Sequence, residues 1–355
     1  MNHLRVIASR YGGPETLVAT EEPLPEPKTG EARVRTEAMG VAFADLLVRQ
    51  GLYPGGPMPP LTPGYDLIGV VDALGEGTRR PAIGTRVAAL TVTGSYAEHV
   101  CVDARELVLI PRALDAAEAV CLVLNYVTAH QMLHRVARVR KDDSILVHGA
   151  AGGVGTALLH LGRLAGLTLY GTASGRKHER ISTLGARLID YRREDFVRQI
   201  AAATRGEGVR AVFDPVGGRN VQRSYTCLAR GGRLVSYGVT GMTRRGRVRG
   251  YLAGAATFVR LGLLAALPDG KRALFYSILS YKRKHPDWFR DDLTRLCDLL
   301  THRAIEPIVA ARLPLTEAAH AHRMLEDGEV IGKVVLLPAG SRRPEGPPTA
   351  PTPWA

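Results

Sequence analysis

The sequence predicts a two-domain α/β protein, in which a compact β-rich, barrel-like domain is followed by a doubly wound parallel sheet. The length of 355 residues exceeds what a single hydrophobic core usually organises. Residues 1 to about 120 carry short β-rich runs broken by glycine and proline, whereas the chain from residue 144 alternates short apolar strands with helical patterns. Such alternation is typical of a parallel sheet with crossover helices.

The strands of the first part alternate between apolar and polar residues and are bounded by turn residues. We predict them at Leu4–Ala8, Ala32–Ala38, Ile68–Leu74, Arg86–Leu90 and Tyr96–Val102. The closing segment ends in an apolar run, Val334–Leu337, that predicts a strand returning to the first domain. The predicted domains are therefore residues 1–120 with 308–338, and residues 121–307. The proline-rich stretch 339–355 predicts a disordered tail.

The second part begins with a strand, a glycine-rich loop and a helix in direct succession. We predict strands at Ile145–His148, Leu167–Thr172, Arg187–Asp190, Arg210–Asp214 and Arg233–Tyr237, with a helix at Gly155–Ala165 after the first. This order predicts a sheet of the Rossmann type.

Composition excludes some classes of protein but does not identify the binding partner. A formal net charge of +13 suits nucleic acid, a membrane surface or an anionic cofactor. Aromatic residues make up only 6% of the chain, which disfavours stacking on single-stranded nucleic acid. The four cysteines form no Cys-x-x-Cys pair, and no secretory signal or membrane-spanning apolar stretch occurs. We therefore expect a cytoplasmic protein that binds neither zinc nor nucleic acid.

The glycine-rich loop Ala150–Gly155 follows the first predicted strand of the second part and precedes its helix. Glycines at Gly152, Gly153 and Gly155, with Val154 between them, let a backbone turn tightly and approach a pyrophosphate. The helix start adds unpaired N–H groups and a positive dipole end. In this context the loop predicts a dinucleotide site, and the alternative is a tight turn without a ligand.

The residues after the second strand of that sheet indicate which dinucleotide is bound. NAD-preferring proteins place an acid about 20 residues beyond the loop, where it accepts the ribose hydroxyls. Here the chain offers Ser174, Arg176 and Lys177 instead. A hydroxyl and two cations suit the 2′-phosphate of NADPH. The alternative is that the two cations only decorate a helix start, although basic groups there oppose the helix dipole.

Several motifs in order and spacing resemble the zinc-free quinone oxidoreductase branch of the medium-chain dehydrogenase/reductase superfamily, and among its members most resemble the vesicle amine transport protein homologues. The matching segments are 12–15, 40–45, 49–54, 63–66, 125–129, 150–155, 171–174, 190–191 and 214–218. The resemblance implies a GroES-like catalytic domain made from both chain ends, a Rossmann domain between them, and NADPH in the cleft. It also implies a homodimer joined by edge strands of the Rossmann sheets and a small hydrophobic substrate.

The resemblance also carries residue roles onto this sequence. Zinc-dependent relatives place metal ligands near Phe43, at Tyr65 and near Asn125, and none of these is a usual zinc ligand. The family usually has Asn where this chain has Ala42, so an amide near the nicotinamide is missing. The complete set of predicted cofactor-binding residues is Asn125, Thr128, Gly152, Gly153, Val154, Gly155, Ser174, Arg176, Lys177, Tyr191 and Gly238.

For catalysis the resemblance favours Tyr53, whose family position lies near the nicotinamide. A quinone or enone that accepts hydride at carbon develops negative charge on oxygen, and a hydroxyl can stabilise that charge. Asp45 is predicted to orient Tyr53. The alternative for Tyr53 is a pocket wall that transfers no proton.

Two other functions stay open at this point. One is an enoyl or enone reductase acting on a hydrophobic, polyketide-like substrate. The other is a membrane-associated NADPH-binding protein with weak or lost catalysis, suggested by Ala42 and by the apolar run Tyr251–Leu267 behind Arg244, Arg245, Arg247 and Arg249. We expect this run to be a core, lid or dimer-interface segment, because 17 residues containing Arg260 suit a protein contact better than lipid.

Overall fold

A computed structural model describes residues 1–242 and 247–338, except for the side chains of residues 242 and 247–249. Its strands are β1 Asn2–Ala8, β2 Leu17–Pro23, β3 Glu31–Val41, β4 Asp66–Leu74, β5 Arg86–Leu90, β6 His99–Asp103, β7 Val108–Leu109, β8 Ser144–His148, β9 Thr168–Ala173, β10 Arg187–Asp190, β11 Val209–Asp214, β12 Leu228–Ser236, β13 Arg272–Phe275, β14 Val309–Pro314 and β15 Lys333–Leu337. These strands form two large sheets and one separate hairpin, β1 with β2.

The helices are α1 Phe43–Arg49, α2 Ala116–Cys121, α3 Val127–His130, α4 Gly153–Leu164, α5 His178–Ile181, α6 Phe196–Ala203, α7 Asn220–Thr226, α8 Arg247–Ala265, α9 Ile278–Lys284, α10 Pro286–Thr301 and α11 Ala318–Glu326. Two π-helical turns, Leu122–Tyr126 and Gln131–Ala137, flank α3. Helix α4 begins two residues before its predicted start, so the last glycines of the loop belong to its first turn.

The first sheet has the order β14-β15-β3-β4-β5-β7, with β6 paired to β3. Buried and less buried residues alternate along the first part of β3, so one side of this strand faces the core. Strand β15 lies antiparallel to β3, with Val335 opposite Gly40, so the predicted return of the chain end to the first sheet is confirmed. The hairpin strand β2, the short strand β7 and strand β14 were not predicted.

The second sheet is parallel throughout and has the order β10-β9-β8-β11-β12-β13. Numbered along this sheet, the order is 3-2-1-4-5-6, which is that of a Rossmann domain, so the predicted fold class is confirmed. All five predicted strands are present, and the sixth, β13, was missed. The predicted domain bounds stay predictions.

One continuous apolar cluster joins the two sheets. It contains Ile68 and Ala88 of the first sheet, Met132 between the sheets, and Val147 and Phe213 of the second. All five side chains are fully buried. Because packed apolar surface excludes water, this cluster holds the two sheets together.

Helix α8 contains most of the apolar run 251–267, while Arg244 and Arg245 lie outside the described residues. One face of α8 is exposed in the single chain, where Leu252, Val259 and Leu263 are about two-thirds exposed. Of the three expected roles, that face fits a lid or a dimer interface rather than a core. Within the described ranges, no helix combines the length and apolar character needed to cross a membrane.

Candidate functional site

The glycine-rich loop lies at the carboxyl end of β8 and leads into α4. A Cβ added to Gly155 would collide with the backbone of Gly149 and Ala150, so this glycine lets the helix pack closely against the loop. At Gly152 the nearest atom to such a Cβ would be the Gly149 oxygen at 3.4 Å, an ordinary contact. Gly152 is also exposed. The fold therefore needs Gly155, whereas Gly152 keeps a surface open to a ligand.

Asn125 lies beside this loop, and Thr128 follows Asn125 by three residues. Asn125 belongs to the first π-helical turn and Thr128 to α3, and both are more than nine-tenths buried. A Cβ on Gly153 would fall on the Asn125 amide, which shows how closely the two approach. Single π-helical turns often occur at functional sites.

Ser174, Arg176 and Lys177 follow β9 at the same edge of the sheet. Lys177 Nζ donates to the Val330 carbonyl oxygen at 2.7 Å, and an Arg176 guanidinium nitrogen donates to the Gly328 oxygen at 3.2 Å. The closing segment of the chain therefore holds both cations. Sequence patterns gave no signal for these backbone acceptors.

The charge around Lys177 is that of a site for an anion. Burial, followed by the nearby Arg176 and Arg180, lowers the pKa of Lys177. An anion bound here would relieve the repulsion between these cations. A carboxylate that the sequence analysis did not weigh, Asp190, lies behind Gly175 and accepts from the Arg192 N–H at 3.0 Å.

Tyr191 and Gly238 complete the carboxyl edge of the second sheet. Tyr191 follows β10 and is about half exposed, and Gly238 follows β12. A Cβ on Gly238 would lie 3.0 Å from the Pro215 oxygen, a tight contact that shows how closely the two backbone segments approach. The structure thus brings the predicted cofactor-binding residues to one edge, where open α/β sheets bind ligands.

Tyr53 lies on the first-sheet side of the cleft, and its hydroxyl is 2.9 Å from the hydroxyl of Tyr65. The rings meet edge to face with centroids 6.3 Å apart. Tyr53 is half-buried and Tyr65 is only 4% exposed. In the sequence Tyr65 stands out only as a position without a metal ligand, and no local pattern indicates its pairing with Tyr53.

Asp45 does not orient Tyr53, so that prediction is wrong. The Asp45 carboxylate accepts from the Ala42 N–H at 2.8 Å, the Gly64 N–H at 3.1 Å and the Tyr96 hydroxyl at 3.1 Å. These donors occupy a fully buried carboxylate. Asp45 therefore holds the start of α1 and the loop before Tyr65 in place.

An apolar wall adjoins Tyr53. Tyr53 and Val239 pack against the same small cluster, formed by Leu47 and Leu52. Val239 follows Gly238, so this cluster joins the Tyr53 side of the cleft to the carboxyl edge of the second sheet. On its outer side Tyr53 lines a cavity of about 200 Å³ together with Tyr251, whose hydroxyl donates to the Gly51 oxygen at 2.7 Å.

Comparison with known proteins agrees with this architecture. Residues 28–112 match the alcohol dehydrogenase GroES-like domain family and residues 184–336 match the zinc-binding dehydrogenase family. The chain is 35% identical over 339 residues to the mouse synaptic vesicle membrane protein VAT-1 homolog, covering 94% of this chain and 83% of that protein. The chain belongs to the medium-chain dehydrogenase/reductase family.

Within this family the chain stands with the quinone oxidoreductases and the VAT-1 homologs. It is 31% identical to quinone oxidoreductase 1 of Escherichia coli and 30% identical to the 2-haloacrylate reductase of a Burkholderia species, covering 94% of this chain and 99% of each. The crystal structure of E. coli quinone oxidoreductase complexed with NADPH superposes with a TM-score of 0.84 at 29% identity, covering 94% of this chain and 100% of that chain.

The resemblance alone places three positions of this chain opposite the zinc ligands of zinc-dependent relatives. The side chains of Phe43, Tyr65 and Asn125 offer a ring, a phenol and an amide. In residues 1–242 and 247–338, no group of three or more histidine, cysteine, aspartate or glutamate side chains is arranged to hold a metal ion.

Two buried histidines near the glycine loop and α3, His148 and His130, contact structural partners. His148 hydrogen-bonds to the Thr172 hydroxyl at 3.0 Å and the Ser224 hydroxyl at 3.1 Å. His130 lies 3.3 Å from an Asp292 carboxylate oxygen. Each imidazole is thus turned toward a structural partner.

Proposed function

We propose that the chain is a zinc-independent oxidoreductase that uses NADPH to reduce a quinone or another conjugated carbonyl compound. The observation that carries the proposal is the position of the Tyr53 hydroxyl at the cleft, beside an apolar wall that reaches the carboxyl edge of the Rossmann sheet. The E. coli quinone oxidoreductase and the 2-haloacrylate reductase support the reaction class by relationship.

The residues present fit NADPH. The cofactor supplies a hydride when bound. The open face at Gly152 and the start of α4 suit the pyrophosphate. Lys177 has three donor hydrogens and uses one on the Val330 oxygen, which leaves two for a 2′-phosphate beside Arg176. We assign Asn125 and Thr128 to the nicotinamide side, and Ser174 and Tyr191 to the adenosine phosphate.

The protein's own contribution is to hold the acceptor close to the nicotinamide, to exclude water from it, and to polarise its oxygen. The apolar side chains of Leu47, Leu52 and Val239 suit a flat conjugated ring. Burial raises the pKa of Tyr53, so its hydroxyl stays protonated and can donate to the oxygen on which charge develops.

Zinc independence is part of the proposal, because none of the three ligand positions in this chain provides an imidazole or thiolate. We expect elemental analysis to find well below one zinc per chain, and chelation to leave NADPH oxidation unchanged. About one zinc per chain, lost together with activity on chelation, would refute it.

A second candidate is an enoyl or enone reductase acting on a hydrophobic substrate. The relationship to the 2-haloacrylate reductase, whose name denotes reduction of a conjugated acid, favours this candidate. Steady-state NADPH oxidation with matched panels of quinones, enones and enoyl thioesters separates the two by their kcat/KM values. Turnover of none of these acceptors would refute both.

A third candidate is an NADPH-binding protein that attaches to membrane surfaces. The exposed apolar side chains Leu252, Val259 and Leu263 of α8 favour it, as does the relationship to the VAT-1 homologs. Flotation with liposomes of neutral and of acidic lipids tests it. Recovery only at the bottom of the gradient with both lipids would exclude this candidate.

We also propose a homodimer joined through β13. Arg272–Phe275 forms the outer strand of the Rossmann sheet and pairs on one side, with β12. An outer strand of this kind offers N–H and C=O groups to a second copy. Light scattering that gives the mass of one chain at all concentrations tested would contradict this arrangement.

A further inference from the structure

The hydroxyl pair Tyr53–Tyr65 lies at the centre of the proposed active site, and its two members differ in surroundings. Tyr65 is 4% exposed and packs within the main apolar cluster, whereas Tyr53 is half-buried and packs in the same small cluster as Val239, at the carboxyl edge of the second sheet. Within residues 1–242 and 247–338, the Tyr65 hydroxyl has one hydrogen-bond partner, the Tyr53 hydroxyl at 2.9 Å.

This difference decides the direction of the hydrogen bond. If Tyr53 donated to Tyr65, the Tyr65 proton would be buried with no acceptor, and an unsatisfied buried donor costs about 1 to 3 kcal/mol. If Tyr65 donates, its proton is satisfied and the Tyr53 proton is free to point into the cleft. The bond from Tyr65 also opposes the rise that burial causes in the pKa of Tyr53.

We propose that Tyr65 is a positioning residue that donates to Tyr53 and so directs the Tyr53 proton toward the carbonyl oxygen of the substrate. This inference rests on the proposed function and defines its substrate class as acceptors that place an electron pair on oxygen. Hydride adds to a substrate carbon, the C=O or conjugated π pair moves onto oxygen, and Tyr53 stabilises that oxygen while keeping its own proton. Solvent supplies the proton that completes the reduction.

A double-mutant cycle with Tyr65→Phe and Tyr53→Phe tests the proposal. We expect Tyr65→Phe to lower kcat about fivefold, in the range of one neutral hydrogen bond, with KM and NADPH affinity changed less than twofold. We expect Tyr53→Phe to lower kcat about 100-fold, as does loss of an oxyanion donor. Adding Tyr65→Phe to Tyr53→Phe should then have no further effect.

The matched control is Tyr225→Phe, which removes another hydroxyl from a buried ring. Tyr225 donates to Asp269 at 2.8 Å and lies on α7. We expect kcat to stay within 1.5-fold of the unmodified enzyme, which marks the Tyr65 effect as local. Thermal melts of every variant verify that the compared proteins are folded.

The outcomes separate this inference from the proposed function. Reduction of a quinone or enone by the unmodified enzyme, with kcat unchanged by Tyr65→Phe, would overturn the role of Tyr65 alone. Equal fold losses from Tyr65→Phe in both backgrounds would also overturn it, because a merely structural residue acts independently of Tyr53. No turnover of any carbonyl acceptor would overturn the proposed function itself.

Discussion

The most direct test of the proposed cofactor site compares the affinities of NADPH and NADH in the variant Lys177→Ala. Lys177 is half-buried, and its ammonium group keeps two donors beyond the one bound to the Val330 oxygen. NADPH carries a 2′-phosphate, which the proposed site binds at Lys177, and NADH carries a hydroxyl in its place. The substitution should therefore weaken NADPH binding and leave NADH binding within about twofold.

The magnitude follows from exposure. A charge-assisted hydrogen bond contributes about 1.5 to 3 kcal/mol. Because Lys177 is only partly buried, screening by water favours the lower end, which corresponds to about a tenfold loss of NADPH affinity. Arg180 is exposed on the next helix and supplies the matched control, since Arg180→Ala removes the same charge without the directed contact. Its effect should stay below about threefold.

Isothermal titration with NADPH and NADH, at low and at moderate salt, measures these differences. Equal weakening of both cofactors by Lys177→Ala would show that Lys177 supports the fold through Val330. No change with either cofactor would assign the discrimination to Ser174, Arg176 or Tyr191. A preference of the unmodified chain for NADH would refute the electrostatic argument as a whole.

Three further substitutions have outcomes set by single contacts. Gly152→Asp should abolish NADPH binding with the thermal midpoint changed by less than about 4 °C, because a Cβ fits there, and undiminished affinity in titrations would contradict this. Burial raises the pKa of Asp45 to about 7, so the contribution of Asp45 to stability falls as pH rises from about 4 to 7. The melting temperature of Asp45→Asn should therefore change less with pH across that window than the melting temperature of the unmodified protein. Glu326→Ala leaves the fully buried Arg49 without its carboxylate and should lower the free energy of unfolding in urea by about 3 kcal/mol, whereas a loss below about 1 kcal/mol would contradict the ion pair.

The parallel sheet was predictable because its strands are short buried runs between turn residues. Arg187–Asp190 was predicted with both ends correct, and Ile145–His148 within one residue. The strand Arg272–Phe275 was missed because it is short and begins with an exposed arginine at the sheet edge. Its pairing with β12 depends on a neighbour about 40 residues earlier in the chain. Local periodicity carries no information about such a partner.

The residues of the proposed site also divide into those that local sequence predicts and those that depend on distant contacts. The glycine loop and the cations after β9 were predictable, because each is a local sequence whose chemistry depends on the strand before it. The pair Tyr53–Tyr65 was not, since its two hydroxyls meet only when the residues after α1 pack beside the start of β4. Asp45 was misassigned for the same reason: its position in sequence suggested Tyr53, whereas two backbone N–H groups and the hydroxyl of Tyr96 occupy it.

The closing segment of the chain contacts the glycine loop, the cations after β9 and the residue that follows Tyr65. Gly332 donates to the Ala151 oxygen at 3.0 Å and so touches the glycine loop, while the next residue, Lys333, forms a buried ion pair with Asp66 at 2.8 Å. Val330, two residues earlier, accepts from Lys177. Since Asp66 follows Tyr65 directly, residues 330–333 connect Lys177 to the hydroxyl pair of Tyr53 and Tyr65. Residues 328–333 therefore link the glycine loop and the cations after β9 to the first sheet.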